Sequence, residues 1–89
     1  MKNLHLHIEG KVQGVGFRYT AKSVARSLGL SGFATNLTGG SVYMEVQGDE
    51  SQLKEFINWC RRGPERAIVD KISVEESQIV DYPGFDTKF

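Results

Sequence analysis

The sequence lacks the features that would place a protein in several specialised classes. Its eleven basic and eleven acidic side chains cancel, so no long-range field attracts nucleic acid or an anionic membrane. The single cysteine, Cys60, excludes an internal disulfide and favours a reducing compartment. No apolar run is long enough for a signal peptide or a membrane span. We therefore expect a cytoplasmic protein without a nucleic-acid or membrane partner, and we expect any bound anion to be small.

The length and composition are those of one small globular domain spanning residues 1–89. Hydrophobic residues make up 39% of the chain and charged residues 25%, and no linker or low-complexity segment interrupts them. A chain of this size buries only a little more than about 60% of its unfolded surface. All of its elements must therefore share one core.

The first third of the chain predicts a strand, a glycine-containing turn and a helix. Apolar and polar residues alternate over residues 4–9, which is typical of a half-buried strand. Apolar residues with helical spacing begin at about Thr20, and Gly29 is placed to end that helix. Between the two elements lies the segment Gln13–Arg18, which we call the glycine loop.

The middle of the chain predicts a hairpin and a second helix. Phe33–Leu37 and Ser41–Gly48 have strand character on either side of a glycine turn. Asp49 is the predicted N-cap of the helix, and Gln52 is placed to complete a capping box. An apolar stripe marks the helix itself: Leu53, Phe56, Ile57 and Cys60. We expect Cys60 to be a small core residue with an unperturbed thiol.

The end of the chain predicts a fourth strand and allows a fifth. Apolar residues between Ala67 and Val74 change phase near Asp70 and Lys71, which indicates a β-bulge or a bend. Phe85–Phe89 allows a short final strand at a sheet edge. The order β-α-β-β-α-β, with one apolar stripe on each helix, predicts an α+β ferredoxin-like sandwich. In that fold an antiparallel sheet carries two helices on one face.

The glycine loop favours anion binding. Gly14 and Gly16 allow positive φ angles and a close approach of ligand to backbone. Successive N–H groups in such a loop point into one concavity, and the helix that follows adds partial positive charge. Arg18 contributes a planar guanidinium suited to phosphate or carboxylate. The loop is not a P-loop, since no Gly-Lys-Ser/Thr follows, and it lacks the third glycine of a dinucleotide fingerprint.

Three segments of the chain resemble the acylphosphatase family. Residues 10–19 (GKVQGVGFRY) and 32–42 (GFATNLTGGSV) are similar to its two signatures, and residues 59–64 (WCRRGP) to the end of its second helix. The resemblance covers essentially the whole chain in the expected order. It implies a small ferredoxin-like, monomeric enzyme that hydrolyses acyl phosphates to a carboxylate and inorganic phosphate.

The resemblance also implies roles for individual residues. Arg18 matches the family's phosphate-binding arginine, and Asn36 matches the asparagine that holds the attacking water; these two are the candidate catalytic residues. Two positions depart from the family pattern: Thr35 replaces a longer side chain beside the site, and Gly39 replaces a polar turn residue. The backbone amides implied to bind phosphate are those of Gln13, Gly14, Val15, Gly16, Phe17 and Arg18.

The residues agree with a reaction that needs no metal and no cofactor. His5, His7 and Cys60 do not have metal-ligand spacing, and the sequence presents no Ser-His-Asp set. An acyl phosphate has a carboxylate leaving group of low pKa, so a general acid adds little. Phosphoryl transfer passes through a loose transition state, which makes positioning and charge stabilisation the main tasks.

Two other functions remain open for this fold. One is a non-catalytic module that binds a small anion. Acylphosphatase-like domains also occur within larger carbamoyl-transfer proteins, where the domain is one stage of a pathway. The other is an RNA-binding module of the same topology, which would need stacking aromatic and basic residues on the helix-free sheet face. On a protein with no net charge, we expect the first and third strands to show these side chains on that face: His5, His7, Glu9, Tyr43, Glu45 and Gln47.

Overall fold

The computed structural model describes every residue from Met1 to Phe89, and five strands form one sheet in the order β4-β1-β3-β2-β5. Both helices pack on the same side of that sheet, as predicted for a ferredoxin-like sandwich. The elements in chain order are β1 (Lys2–Lys11), α1 (Phe17–Ser27), β2 (Ser31–Asn36), β3 (Val42–Gly48), α2 (Glu50–Arg62), β4 (Ile68–Ser77) and β5 (Phe85–Lys88).

The core lies between the sheet and the two helices. It contains 16 buried apolar residues, among them Leu6 and Met44 from the sheet and Phe56 from α2. Cys60 belongs to the same cluster, which confirms its expected place in the core. Burial raises the pKa of its thiol, so the expectation of an unperturbed thiol is wrong.

Neither helix has the length and apolar character that a membrane crossing requires.

Helix α1 begins earlier than the apolar spacing predicted. Gly16 takes a left-handed conformation (φ 78°, ψ 19°) at the helix N-cap, and the N–H of Thr20 donates to its carbonyl at 3.0 Å. Phe17 is buried and forms part of the first turn. The early start matters for the site because it places Arg18 in that first turn.

The predicted capping box of α2 is wrong. Asp49 is the N-cap residue, and its carbonyl accepts the first helical bond from the N–H of Leu53 at 3.0 Å, but its side chain makes no capping bond. The carboxylate lies at an exposed position where water can hydrate it. The side chain of Gln52 accepts instead from the hydroxyl of Ser51 at 3.0 Å.

The sheet is mixed rather than wholly antiparallel. Strand β5 does form at the predicted edge, but it runs parallel to β2, with Gly32 opposite Phe85. The reason is the path of residues 78–84, which connect β4 at one edge to β5 at the other. This segment crosses the sheet face opposite the helices, which we call the open face. There both backbone groups of Val80 bond the side chain of Gln47.

The predicted bulge in the fourth strand is confirmed. Pairing between β1 and β4 steps from Glu9–Lys71 to Gly10–Val69, so that Asp70 has no partner in the ladder. The extra residue explains the change of apolar phase seen in the sequence.

Candidate active site

The glycine loop joins β1 to α1, and buried side chains hold it against the core. Val12, Val15 and Phe17 are at most 8% exposed, whereas Gly14 and Gly16 between them are exposed. The two glycines have φ angles of +74° and +78°, in the left-handed region that glycine allows. Buried side chains therefore anchor the loop to the core, while its two glycines remain exposed.

The N–H groups of this segment are free to bind a ligand. No backbone or side-chain acceptor within the chain receives an N–H from Gln13 to Tyr19; Thr20 is the first to donate to a helical carbonyl. Because they also surround a helix N-terminus, they present partial positive charge to an anion. The predicted phosphate-binding amides are thus together and without partners.

Arg18 is held from the C-terminal side of the chain. Its Nη1 donates to the carbonyl of Lys88 at 2.7 Å, and its guanidinium carbon lies 4.8 Å from the centroid of the Phe89 ring. One donor and one face of the guanidinium are therefore in use. The remaining N–H donors can reach a ligand in the cavity that Arg18 lines.

The same face of α1 holds β5 in place through two further basic side chains. The Nε of Arg26 donates to the carbonyl of Phe85 at 2.9 Å, and the Nζ of Lys22 lies 3.8 Å from a carboxylate oxygen of Asp86. A hydrogen bond from the backbone N–H of Thr87 and the nearby positive charge of Lys22 lower the pKa of that carboxyl. These contacts bring the end of the chain to Arg18.

Asn36 reaches the site from the last position of β2. It lies opposite Val42 in the ladder, and its side chain makes no hydrogen bond within the chain. Its carboxamide can therefore offer one acceptor and two donors to a ligand or a water molecule. The residue that follows begins the turn between β2 and β3, residues 37–41, which we call the hairpin turn.

One cavity of 280 Å³ brings these groups together. Thr35 and Gly39, the two positions that depart from the family pattern, do not line it. Nor does Val15, whose side chain is buried in the core, although its N–H remains free. The lining residues are Val12, Gln13, Gly14, Gly16, Phe17, Arg18, Tyr19, Asn36, Thr87 and Phe89.

Sequence reasoning missed two components of this site. It gave Gln13 a backbone role only, yet the Nε2 of its side chain donates to the carbonyls of Leu37 and Ser41, both at 2.8 Å. It also gave no role to Thr87 and Phe89, which line the cavity from the end of the chain. No periodic pattern marks either contact, since both depend on how distant segments meet.

The histidines lie outside the cavity. His7 shares a hydrogen bond of 2.9 Å with the hydroxyl of Ser41, and His5 lies 3.7 Å from a carboxylate oxygen of Glu45 on the open face. No three His, Cys, Asp or Glu side chains meet in a way that would hold a metal ion. The chemical capacity of the site thus lies in N–H donors, one guanidinium and one carboxamide.

The fold and the site together define a small ferredoxin-like protein with a cavity at a helix N-terminus, lined by donors of the kind that suit a compact anion. The sequence model of the acylphosphatase family matches residues 4–87. The chain belongs to the acylphosphatase family. An acylphosphatase of Thermotoga petrophila is 45% identical over 89 residues, which are 100% of this chain and 99% of that protein.

Solved structures agree with this assignment. The crystal structure of acylphosphatase from Bacillus subtilis superposes with a TM-score of 0.95 at 31% identity, covering 100% of both chains. Full-length HypF, solved in a phosphate- and nucleotide-bound form, has a TM-score of 0.92 at 31% identity. That match covers 99% of this chain but 12% of the HypF chain, so the fold also occurs as one part of a larger protein.

Proposed function

We propose that this acylphosphatase uses the glycine loop and Arg18 to bind the phosphate of its substrate and Asn36 to hold the attacking water. Membership of the family assigns the reaction, the hydrolysis of acyl phosphates to a carboxylate and inorganic phosphate. The observation that supports our residue roles is that partner-free N–H groups, Arg18 and Asn36 line one cavity.

Phosphate binding in this proposal is mainly the work of the backbone. The free N–H groups of the glycine loop donate to the phosphoryl oxygens, and the guanidinium of Arg18 adds charge-assisted bonds. In the loose transition state negative charge is spread over the three equatorial oxygens. Fixed donors that already point at those oxygens stabilise this charge without having to reorganise.

Asn36 supplies the geometry of the attack. Its carboxamide oxygen accepts a hydrogen bond from a water molecule and so directs a water lone pair at phosphorus, in line with the leaving oxygen. The new P–O bond forms as the bond to the acyl oxygen breaks, and the carboxylate leaves with the electron pair. The proton of the water passes to a phosphoryl oxygen, because Asn36 cannot act as a base.

The acyl group meets a more open surface. Tyr19 and Phe89 border the cavity and are largely exposed, with no enclosed pocket beyond them. We therefore propose loose selectivity among small acyl phosphates. We also propose that the chain works as a monomeric single domain in the cytoplasm, with no cofactor.

The proposal is tested by the hydrolysis of acetyl phosphate and of an aromatic acyl phosphate, with and without EDTA. We expect turnover of both substrates at rates that the chelator does not change. Loss of activity in EDTA would contradict the metal-independent mechanism. Tight binding of inorganic phosphate without turnover of any acyl phosphate would favour the alternative, a non-catalytic anion-binding module.

A further inference from the structure

The side chain of Gln13 joins the two halves of the candidate site. Both protons of its Nε2 are used, one on the carbonyl of Leu37 and one on the carbonyl of Ser41, each at 2.8 Å. No other side-chain hydrogen bond connects the glycine loop with the hairpin turn. The carboxamide is therefore a specific link between the segment that carries the free N–H groups and the segment next to Asn36.

The two acceptors are the groups that close the hairpin turn. The N–H of Leu37 donates to the carbonyl of Ser41 at 2.9 Å, and the N–H of Gly40 donates to the carbonyl of Leu37 at 3.3 Å. Gln13 thus adds a second donor to each of the carbonyls that define the turn. Leu37 directly follows Asn36, so a change in the position of this turn moves the Asn36 backbone with it.

We propose that Gln13 is a positioning residue, whose side chain sets the distance between Asn36 and the phosphate held by the glycine loop. The inference rests on the proposed function and gives this side chain a task separate from its backbone N–H. In-line attack requires the reacting atoms to be about 3–3.5 Å apart, and a shift of about 1 Å can cost on the order of 10²-fold in rate. Two short bonds between the halves of the site oppose such a shift.

The test replaces Gln13 with methionine, which keeps the length of the side chain and removes both donors without adding charge. We expect kcat for an aromatic acyl phosphate to fall roughly 10- to 100-fold. The Kd of inorganic phosphate, measured by calorimetry, should change less than about threefold, since the loop N–H groups and Arg18 remain. The stoichiometry from the same titration gives the fraction of competent molecules, to which kcat is normalised. Gln78→Met, at an exposed position far along the chain, is the matched control.

A double-mutant cycle shows whether Gln13 acts through Asn36. When Asn36 is already alanine, Gln13→Met should lower kcat no further, because there is no water-holding group left to position. An equal loss in both backgrounds would overturn the proposal, as would a Gln13→Met enzyme with native kcat. A fall in phosphate affinity parallel to the fall in kcat would also overturn it, since Gln13 would then support the loop alone. If the Gln13→Met variant folds poorly, Gln13→Ala is the second variant to test.

The outcomes separate this inference from the proposed function. If the native protein hydrolyses acyl phosphates and Asn36→Ala does not, but Gln13→Met is fully active, only the role of Gln13 fails. If Asn36→Ala is as active as the native protein, the proposed function itself fails.

Discussion

The glycine loop and Asn36, the residue before the hairpin turn, contribute to one cavity in opposite ways. Buried side chains fix the loop, and it offers backbone N–H groups. Asn36 lies at the end of β2, directly before the exposed residues 37–39 of the hairpin turn, and it offers a side chain. In the proposed mechanism this difference makes binding and chemistry separable. A side-chain substitution would remove the proposed water-holding group completely, whereas the proposed phosphate-binding backbone would change only if the loop conformation changed.

The largest effect should come from Arg18, whose side chain we propose to bind phosphate together with the glycine loop. We expect Arg18→Ala to lower kcat/KM by about 10³- to 10⁵-fold, since it removes the cationic donor to the transition-state oxygens. Affinity for inorganic phosphate should fall as well. Kinetics and calorimetry on the same sample measure both effects, with Arg61→Ala, an exposed arginine of α2, as control. If the Arg18→Ala variant bound phosphate with native affinity, Arg18 would not be a phosphate-binding residue.

A smaller effect should follow from strain in the loop backbone. Alanine at Gly16 places a side chain at φ +78°, which costs roughly 1–2 kcal/mol and corresponds to about a 5- to 30-fold change in a conformational equilibrium. We expect phosphate affinity to fall by about this factor. The matched variant Gly39→Ala, at φ +104° in the hairpin turn, should lose similar stability in urea but keep its phosphate affinity. Equal phosphate affinities in the two variants would mean that the loop conformation does not matter for binding.

The smallest effect on turnover should come from a substitution on the open face, which contributes neither to the glycine loop nor to the surroundings of Asn36. Burial opposes ionisation of Glu45, but hydrogen bonds from Tyr82 and Tyr43 outweigh it, helped by the nearby charge of His5, and lower the pKa of this carboxyl. A lowered pKa means that the ionised group stabilises the fold at neutral pH, and that this stabilisation is lost as the pH falls below the ordinary value of 4.5.

This pH dependence can be measured with Glu45→Gln. The variant should have a lower Tm than the native protein at about pH 7, and the difference should shrink towards about pH 3. Its turnover at neutral pH should stay within about twofold of native, because no atom of Glu45 lines the cavity. A Tm difference that is constant with pH would contradict the assigned ionisation, and a large loss of turnover would extend the site to the open face.

Most of the fold could be predicted from apolar periodicity because the core has one helical layer on one sheet face. The stripe of α2 and the phase change at Asp70 carried that information directly. The parallel pairing of β5 could not be predicted in the same way. It depends on residues 78–84 crossing the open face, where Tyr82 and Gln47 make long-range polar contacts that leave no periodic trace.

The sequence allowed the main site residues to be predicted, but not the contacts that join them to distant segments of the chain. Gly14, Gly16 and Arg18 indicate an anion site on local chemistry alone, and the resemblance to a family supplied Asn36. The contacts of Gln13 with the hairpin turn and of Arg18 with the carbonyl of Lys88 join residues that are far apart in the chain. Such contacts follow from the assembled structure and not from any single segment.

The most direct test of separable binding and chemistry is Asn36→Ala, assayed for turnover and for phosphate binding in the same preparation. We expect kcat to fall on the order of 10²- to 10³-fold or more, while the Kd of inorganic phosphate stays within about threefold of native. Parallel loss of both would contradict the division between the glycine loop and Asn36, and native turnover would contradict the mechanism as a whole.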